Sequence, residues 1–185
     1  MDTTSIVIGV VLVLVIVGAI VGPLLARRRR TERFQNTFGT EYNRTVESAG
    51  SDKKAQTELD GRRMHVESLS IRPLSADERE HYQADWTTVQ AKFVDQPGQA
   101  TIEADHLIME VMKKREYPVS DFEQRAADIS VNYPALVANY RAARETALRN
   151  EQHHAGTEDL RRALISYRSL FDELLRAETV APERA

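Results

Sequence analysis

From Ile6 to Ala26 the chain carries no charged side chain for 21 residues. At about 1.5 Å per helical residue, such a run spans roughly the hydrocarbon thickness of a bilayer. Its many Val and Ile side chains disfavour a helix in water. In lipid every backbone N–H and C=O must be paired internally, which leaves a lone segment only the helix. The pattern therefore predicts a transmembrane helix over 6–26, preceded by a short extracytoplasmic N-terminus, 1–5. A cleaved signal peptide would need basic residues before a shorter apolar run and small residues after it. Here Met1–Ser5 holds no Lys or Arg, and Arg27, Arg28, Arg29 and Arg30 follow the run. Basic residues resist translocation, so the expectation is a single-pass protein with its N-terminus outside and everything from Arg27 onward in the cytoplasm. The same arginines, in a basic juxtamembrane segment 27–33, suit anionic lipid headgroups. Gly18 and Gly22 form a G-x-x-x-G pair, a spacing that lets a second membrane helix approach closely and would make a homo-oligomer.

Beyond the arginines the pattern changes to polar helix. Phe34, Phe38 and Tyr42 recur at i, i+4 and i+8, with Ala55, Leu59 and Val66 following more sparsely after a break near Ala49-Gly50-Ser51-Asp52. One narrow apolar stripe predicts a helical stalk or outlying arm over 34–70. Pro73 ends it, since proline lacks a donor and biases its predecessor toward extended backbone.

Five amphipathic stripes follow. Ser75 and Glu78 have capping-box spacing ahead of Tyr82, Trp86, Val89 and Phe93. Asp95-Gln96-Pro97-Gly98 is a turn before Ile102, Leu107, Ile108, Val111 and Met112, and Lys113-Lys114-Arg115 suits the helix C-terminus. Ser120 to Glu123 reads as a second capping box, opening a short helix with Phe122, Ala126 and Ile129 inward. Pro134 restarts the chain ahead of Leu136, Val137, Tyr140, Ala143, Ala147 and Leu148. Thr157 is the N-cap candidate for the last stripe, Leu160, Ala163, Leu164, Tyr167, Leu170, Phe171 and Leu174. With no alternating strand pattern, the fold class is all-α: a transmembrane helix, a helical stalk, then a compact bundle of about five helices in a domain spanning 71–176, with a flexible tail over 177–185.

Composition then narrows the function. Cysteine is absent among the 185 residues, which excludes disulfides, thiolate catalysis and thiolate zinc sites. With Asp2 and the four arginines set aside, 31–185 holds 21 basic and 27 acidic residues, a net charge of −6. No further basic cluster with interleaved aromatics occurs, so no nucleic acid partner is expected. Phosphate-loop, dinucleotide and nucleophile-elbow motifs are missing, and neither an enzyme nor a cofactor is expected. Glu78/His81, Glu103/His106 and Glu151/His154 have the i, i+3 spacing of di-iron bundles. Only Glu103 and His106 fall mid-helix, and the two further inward glutamates are lacking, so a metal site is disfavoured. His153-His154 reads as solvated loop.

The short segment from Asp121 to Asp128 concentrates Asp121, Glu123, Arg125 and Asp128, which reads as a solvated, self-neutralising helix face. That segment before Tyr133-Pro134, with Phe38 to Tyr42, Arg72 to Ser75 and the N-terminal membrane run, resembles a family of bacterial single-pass membrane-anchored helical proteins. The likeness covers most of 27–175. It implies a location in the bacterial inner membrane, carries over no catalytic residue, and marks Asp121, Glu123, Arg125 and Asp128 as the expected partner surface. The expected function is a protein-interaction or scaffold module held at the lipid bilayer, acting by raising a protein partner's effective concentration there. The alternative is a small-ligand or metal-sensing bundle with a pocket near Trp86, His106 and Tyr140.

Overall fold

The computed structural model describes residues 3–152 and 154–177, with the side chains of 3–11, 13–18, 20, 23 and 24 outside that description. The expected tail beyond Ala177 likewise lies outside the described residues. Eight helices, and no strand among the described residues, make the chain all-α: α1 (Thr3–Phe38), α2 (Thr40–Ala49), α3 (Asp52–Ser68), α4 (Ala76–Lys92), α5 (Pro97–Lys114), α6 (Phe122–Asn132), α7 (Pro134–Glu151) and α8 (Thr157–Arg176). Among the described residues no helix is long and apolar enough to cross a membrane. Most of the Ile6–Ala26 side chains fall outside that set, and the backbone of this run belongs to α1.

The helix boundaries follow local chemistry. Ser75 and Glu78 form the expected capping box: the Glu78 N–H donates to Ser75 Oγ (3.1 Å) and the Ser75 N–H donates to Glu78 Oε2 (2.9 Å). Pro97 and Pro134 open α5 and α7, where a missing N–H costs nothing. The α6 cap is displaced by one residue from expectation. Asp121, rather than Ser120, accepts the Gln124 N–H (3.1 Å), and this leaves Glu123 outside the cap. Gly156, rather than Thr157, is the residue preceding α8. Gly39 separates α1 from α2 with φ 53° and ψ −126°, a conformation that side chains with a Cβ resist.

The main core joins α4 to α8. α8 lies against both α5 and α7, α4 packs on α5, and α6 on α7. All seven residues of the α8 stripe are buried, as are Tyr82, Trp86 and Val89 of α4 and Leu107, Ile108, Val111 and Met112 of α5. Trp86 stacks on Phe171 at 4.7 Å, and the Arg168 guanidinium lies over the Trp86 ring, 5.3 Å from its centroid. Leu148 departs from its stripe and is exposed at the end of α7.

The segment expected to stand off as a stalk is instead folded against the bundle. α2 and α3 form a hairpin around a second cluster, Phe38, Tyr42 and Leu59, with Phe34, Val46 and Val131 packed on it. α3 contacts α6, and α2 contacts α7. The foot of α1 is tied in by polar contacts as well. Tyr42 Oη donates to Asp52 (2.6 Å), while Gln56 Nε2 reaches both Thr31 Oγ1 (3.2 Å) and Tyr42 Oη (3.3 Å). A narrow stripe suffices for a docked hairpin because α6 and α7 supply the other wall.

Candidate functional site

The charged segment of α6 does not form one surface. Glu123 faces outward, but Arg125 and Asp128 are buried, and Asp121 serves as the helix cap. The expectation of a partner surface made by all four residues is thereby corrected. An eleven-residue helix wedged between the α2–α3 hairpin and the main core buries two opposite faces, and only the strip between them meets solvent.

On the hairpin side the centre is Glu41 of α2, whose side chain is 1% exposed. It accepts from Arg62 Nη1 of α3 (2.8 Å) and Arg141 Nη2 of α7 (3.3 Å), and lies 3.7 Å from Arg44 Nη1. Arg62 also donates to Glu58 (2.6 Å), and Arg141 to Glu123. Three carboxylates and three guanidiniums thus neutralise one another across α2, α3, α6 and α7. Burying a charge is tolerable only when it is paired in this way.

Next to this network, Asp128 sits under the hairpin with no exposed surface. Its Oδ1 accepts from Gln124 Nε2 (2.8 Å) and lies 3.6 Å from His65 Nε2 of α3, while Oδ2 is buried without a protein donor. Burial raises the Asp128 carboxyl above its ordinary value near 3.8, against the smaller opposing effects of Gln124, His65 and Arg62. An acid whose folded pKa is raised favours the folded state while protonated. Stability is therefore lost as pH rises from the ordinary value through the raised one. Asp128→Asn, which carries no proton, should gain on the parent protein across that window and hold its gain above it. Urea midpoints between about pH 3 and pH 8 test this; a parent protein that gains on the variant as pH rises would show that the cations outweigh burial.

On the core side, Arg125 donates to the Val119 carbonyl (3.2 Å) and to Tyr140 Oη (3.4 Å). Asp105 of α5 is also buried and accepts from Arg144 Nη1 of α7 (3.1 Å). Phe122 lies within 6 Å of both the Arg125 and Arg144 guanidiniums, and 5.2 Å from the Tyr140 ring. Burial pushes the Asp105 carboxyl up and Tyr140 up to about 12. A buried acid of raised pKa is a usual mark of catalysis. Here the Asp105 side chain is buried and bonded through Oδ2 to Arg144, with Oδ1 lacking a protein donor, an arrangement that fixes α5 against α7.

A third cluster escaped the sequence reading. Arg115, expected only as a charge suited to the C-terminus of α5, is 2% exposed there. Its Nε donates to the Arg72 carbonyl (3.1 Å), and its Nη1 to Tyr133 Oη (3.1 Å) and to the Leu174 carbonyl near the end of α8 (3.0 Å). One guanidinium thereby joins the 69–75 linker, the α6–α7 junction and the C-terminus of α8.

Glu103 is held by Lys92 of α4 (2.6 Å) and His106 is exposed, so the two do not converge. Among the described residues no three His, Asp or Glu side chains are placed to hold a metal ion. His153 lies outside the described residues. Trp86 and Tyr140 are fully buried in packed contacts, whereas His106 faces solvent, so the expected pocket among the three is not formed.

At the foot of the apolar run Arg27 to Arg30 are all exposed, and Arg30 Nη2 pairs with Asp60 Oδ2 of α3 at 3.1 Å. Gly22 has open space where a Cβ would stand; the Gly18 side-chain position is outside the described residues. Comparison with family models, with curated proteins and with solved structures finds no match to this chain.

Proposed function

We propose that this chain is a single-pass membrane-anchored scaffold whose helical body, on the cytoplasmic side, holds a protein partner near the bilayer. The observation that carries the reading is the continuity of α1, which runs unbroken from the uncharged 6–26 segment to Phe38. On that same helix, Phe34 and Phe38 pack into the α2–α3 hairpin, and Thr31 meets Gln56. An anchor joined this way fixes the body close to the membrane, where tethering raises effective concentration with no catalytic group. The filled core and the internally paired charges of Glu41, Arg62 and Arg141 support a rigid body over a ligand-gated one.

The absence of cysteine makes the test direct. Val94, 83% exposed in the α4–α5 turn, offers an accessible site for a single cysteine. Val94→Cys should be protected from a membrane-impermeant maleimide in intact cells and labelled after permeabilisation; labelling in intact cells would overturn the cytoplasmic assignment. A photo-crosslinking residue at Val94 or Glu123 should then trap one specific protein from native membranes. If both sites trap none, the scaffold reading fails.

A further inference from the structure

Below the apolar run, α1 and α3 enclose a groove. Ala26, Arg29, Arg30, Arg33, Phe34 and Asp60 line about 490 Å³ of it. Its continuation of about 180 Å³ shares Arg33, Phe34 and Asp60 and adds Thr37, Phe38 and Arg63. Counted from Ala26, the α1 positions recur at i, i+3, i+4, i+7, i+8, i+11 and i+12, which is one helix face turned toward α3. Four guanidiniums therefore face a single carboxylate.

That carboxylate orients the cations without neutralising the groove. Asp60 Oδ2 accepts from Arg30 (3.1 Å), and its Oδ1 lies 3.7 Å from Arg63 Nη2, while Arg63 Nε lies 3.8 Å from Glu67, which is not part of the lining. The Arg30 guanidinium sits 5.7 Å from the Phe34 ring, so its plane is held on two sides. Arg29 and Arg33 line the groove and form no ion pair among the described residues. Arg27 and Arg28, equally basic, are not part of its lining.

We infer that this groove binds the phosphate of an anionic phospholipid. Guanidinium forks match phosphate oxygens in pairs, and the groove offers several of them, with Ala26 as its wall next to the apolar run and the Phe34 ring further along it. The inference deepens the membrane-anchor reading and rests on it for depth: if α1 crosses the bilayer, Ala26 marks its edge and the arginines stand at the headgroups. A topology signal alone would need no contribution from α3. Here Arg63, on another helix and 37 positions beyond Ala26, completes the site.

The test uses the full-length protein in non-ionic detergent, with retained lipids counted by native mass spectrometry after addition of phosphatidylglycerol or phosphatidylcholine. Phosphatidylglycerol should be retained in preference. Arg63→Gln, which leaves α1 and its topology signal intact, should weaken that retention about fivefold, the effect of one basic residue at a headgroup. Arg29→Gln with Arg33→Gln should weaken it more, whereas Arg27→Gln with Arg28→Gln, the same loss of charge, should leave it nearly unchanged. Equal losses from the two pairs would reduce the groove to diffuse attraction and overturn the inference. Equal retention of the two lipids would overturn it as well, and so would displacement of the lipid by millimolar inorganic phosphate, which would mark a free-anion site. Carbonate extraction of native membranes reports separately on the anchor, since a chain released by it overturns the membrane reading whatever the lipid counts give.

Discussion

Arg115→Met should destabilise the protein by about 3–5 kcal/mol, because it leaves three neutral acceptors without their donor at roughly 1–3 kcal/mol each. Methionine keeps the length and apolar stem of the side chain, so packing is largely retained while the donors vanish. The Arg72 carbonyl, Tyr133 Oη and the Leu174 carbonyl all lose a donor. Two of these acceptors are backbone groups that cannot move away without unwinding the linker or the last turn of α8. Lysine should rescue only part of the loss, because a point ammonium cannot span acceptors arranged around a planar fork. Urea unfolding followed by the emission of Trp86, the single tryptophan and fully buried in the same core, measures the change. At this chain length the melting temperature should fall by roughly 6–20 °C. A loss below about 1 kcal/mol would mean that water replaces the guanidinium at all three acceptors.

Glu41→Gln should cost about 2–3 kcal/mol, less than a fully buried pair because Arg62 and Arg141 keep Glu58 and Glu123 as partners and a little solvent access. Its effect should be local. Without the carboxylate, the guanidiniums of α3 and α7 face each other across a low-dielectric gap, and the hairpin is pushed from the bundle. Hydrogen exchange should accelerate in α2 and α3 while amides of α5 and α8 keep their protection. A double-mutant cycle with Arg141→Gln should show a coupling well above the level of an exposed ion pair. Uniform acceleration across all the helices would instead mean that the network stabilises the whole fold, and independent losses would show that Glu41 and Arg141 do not act together.

The starts of α4, α5 and α7 and most of the inward faces of α4 to α8 were legible because they depend on neighbours within about one turn, whereas the caps of α6 and α8 fell one residue from expectation. A serine three residues before a glutamate caps a helix, a proline opens one, and apolar side chains three or four apart share a face. Ser75, Pro97, Pro134 and the α8 stripe all follow those rules. The apolar positions of the second cluster, Phe38 of α1 with Tyr42 and Leu59 of the hairpin, were legible for the same reason.

What the chain alone could not reveal was which charged residues are buried. Arg115 bonds Leu174 across 59 positions and Arg141 meets Glu41 across 100, separations on which helical periodicity carries no information. A charged side chain in a polar stretch reads as solvated, because isolated burial would cost several kcal/mol. Only the tertiary structure brings the opposite charges to Glu41 and the carbonyl and hydroxyl acceptors to Arg115 and Arg125 that offset that cost, and it leaves Asp128 inside with part of the cost unmet. The same holds for the groove: sequence placed four arginines in a row after an apolar run, and folding of α3 against α1 selected Arg29, Arg30, Arg33 and Arg63 as its walls. Local patterns set the helices and their apolar faces because both arise within a turn or two of chain, whereas charge burial and cavity walls arise between helices and exist only once these have packed.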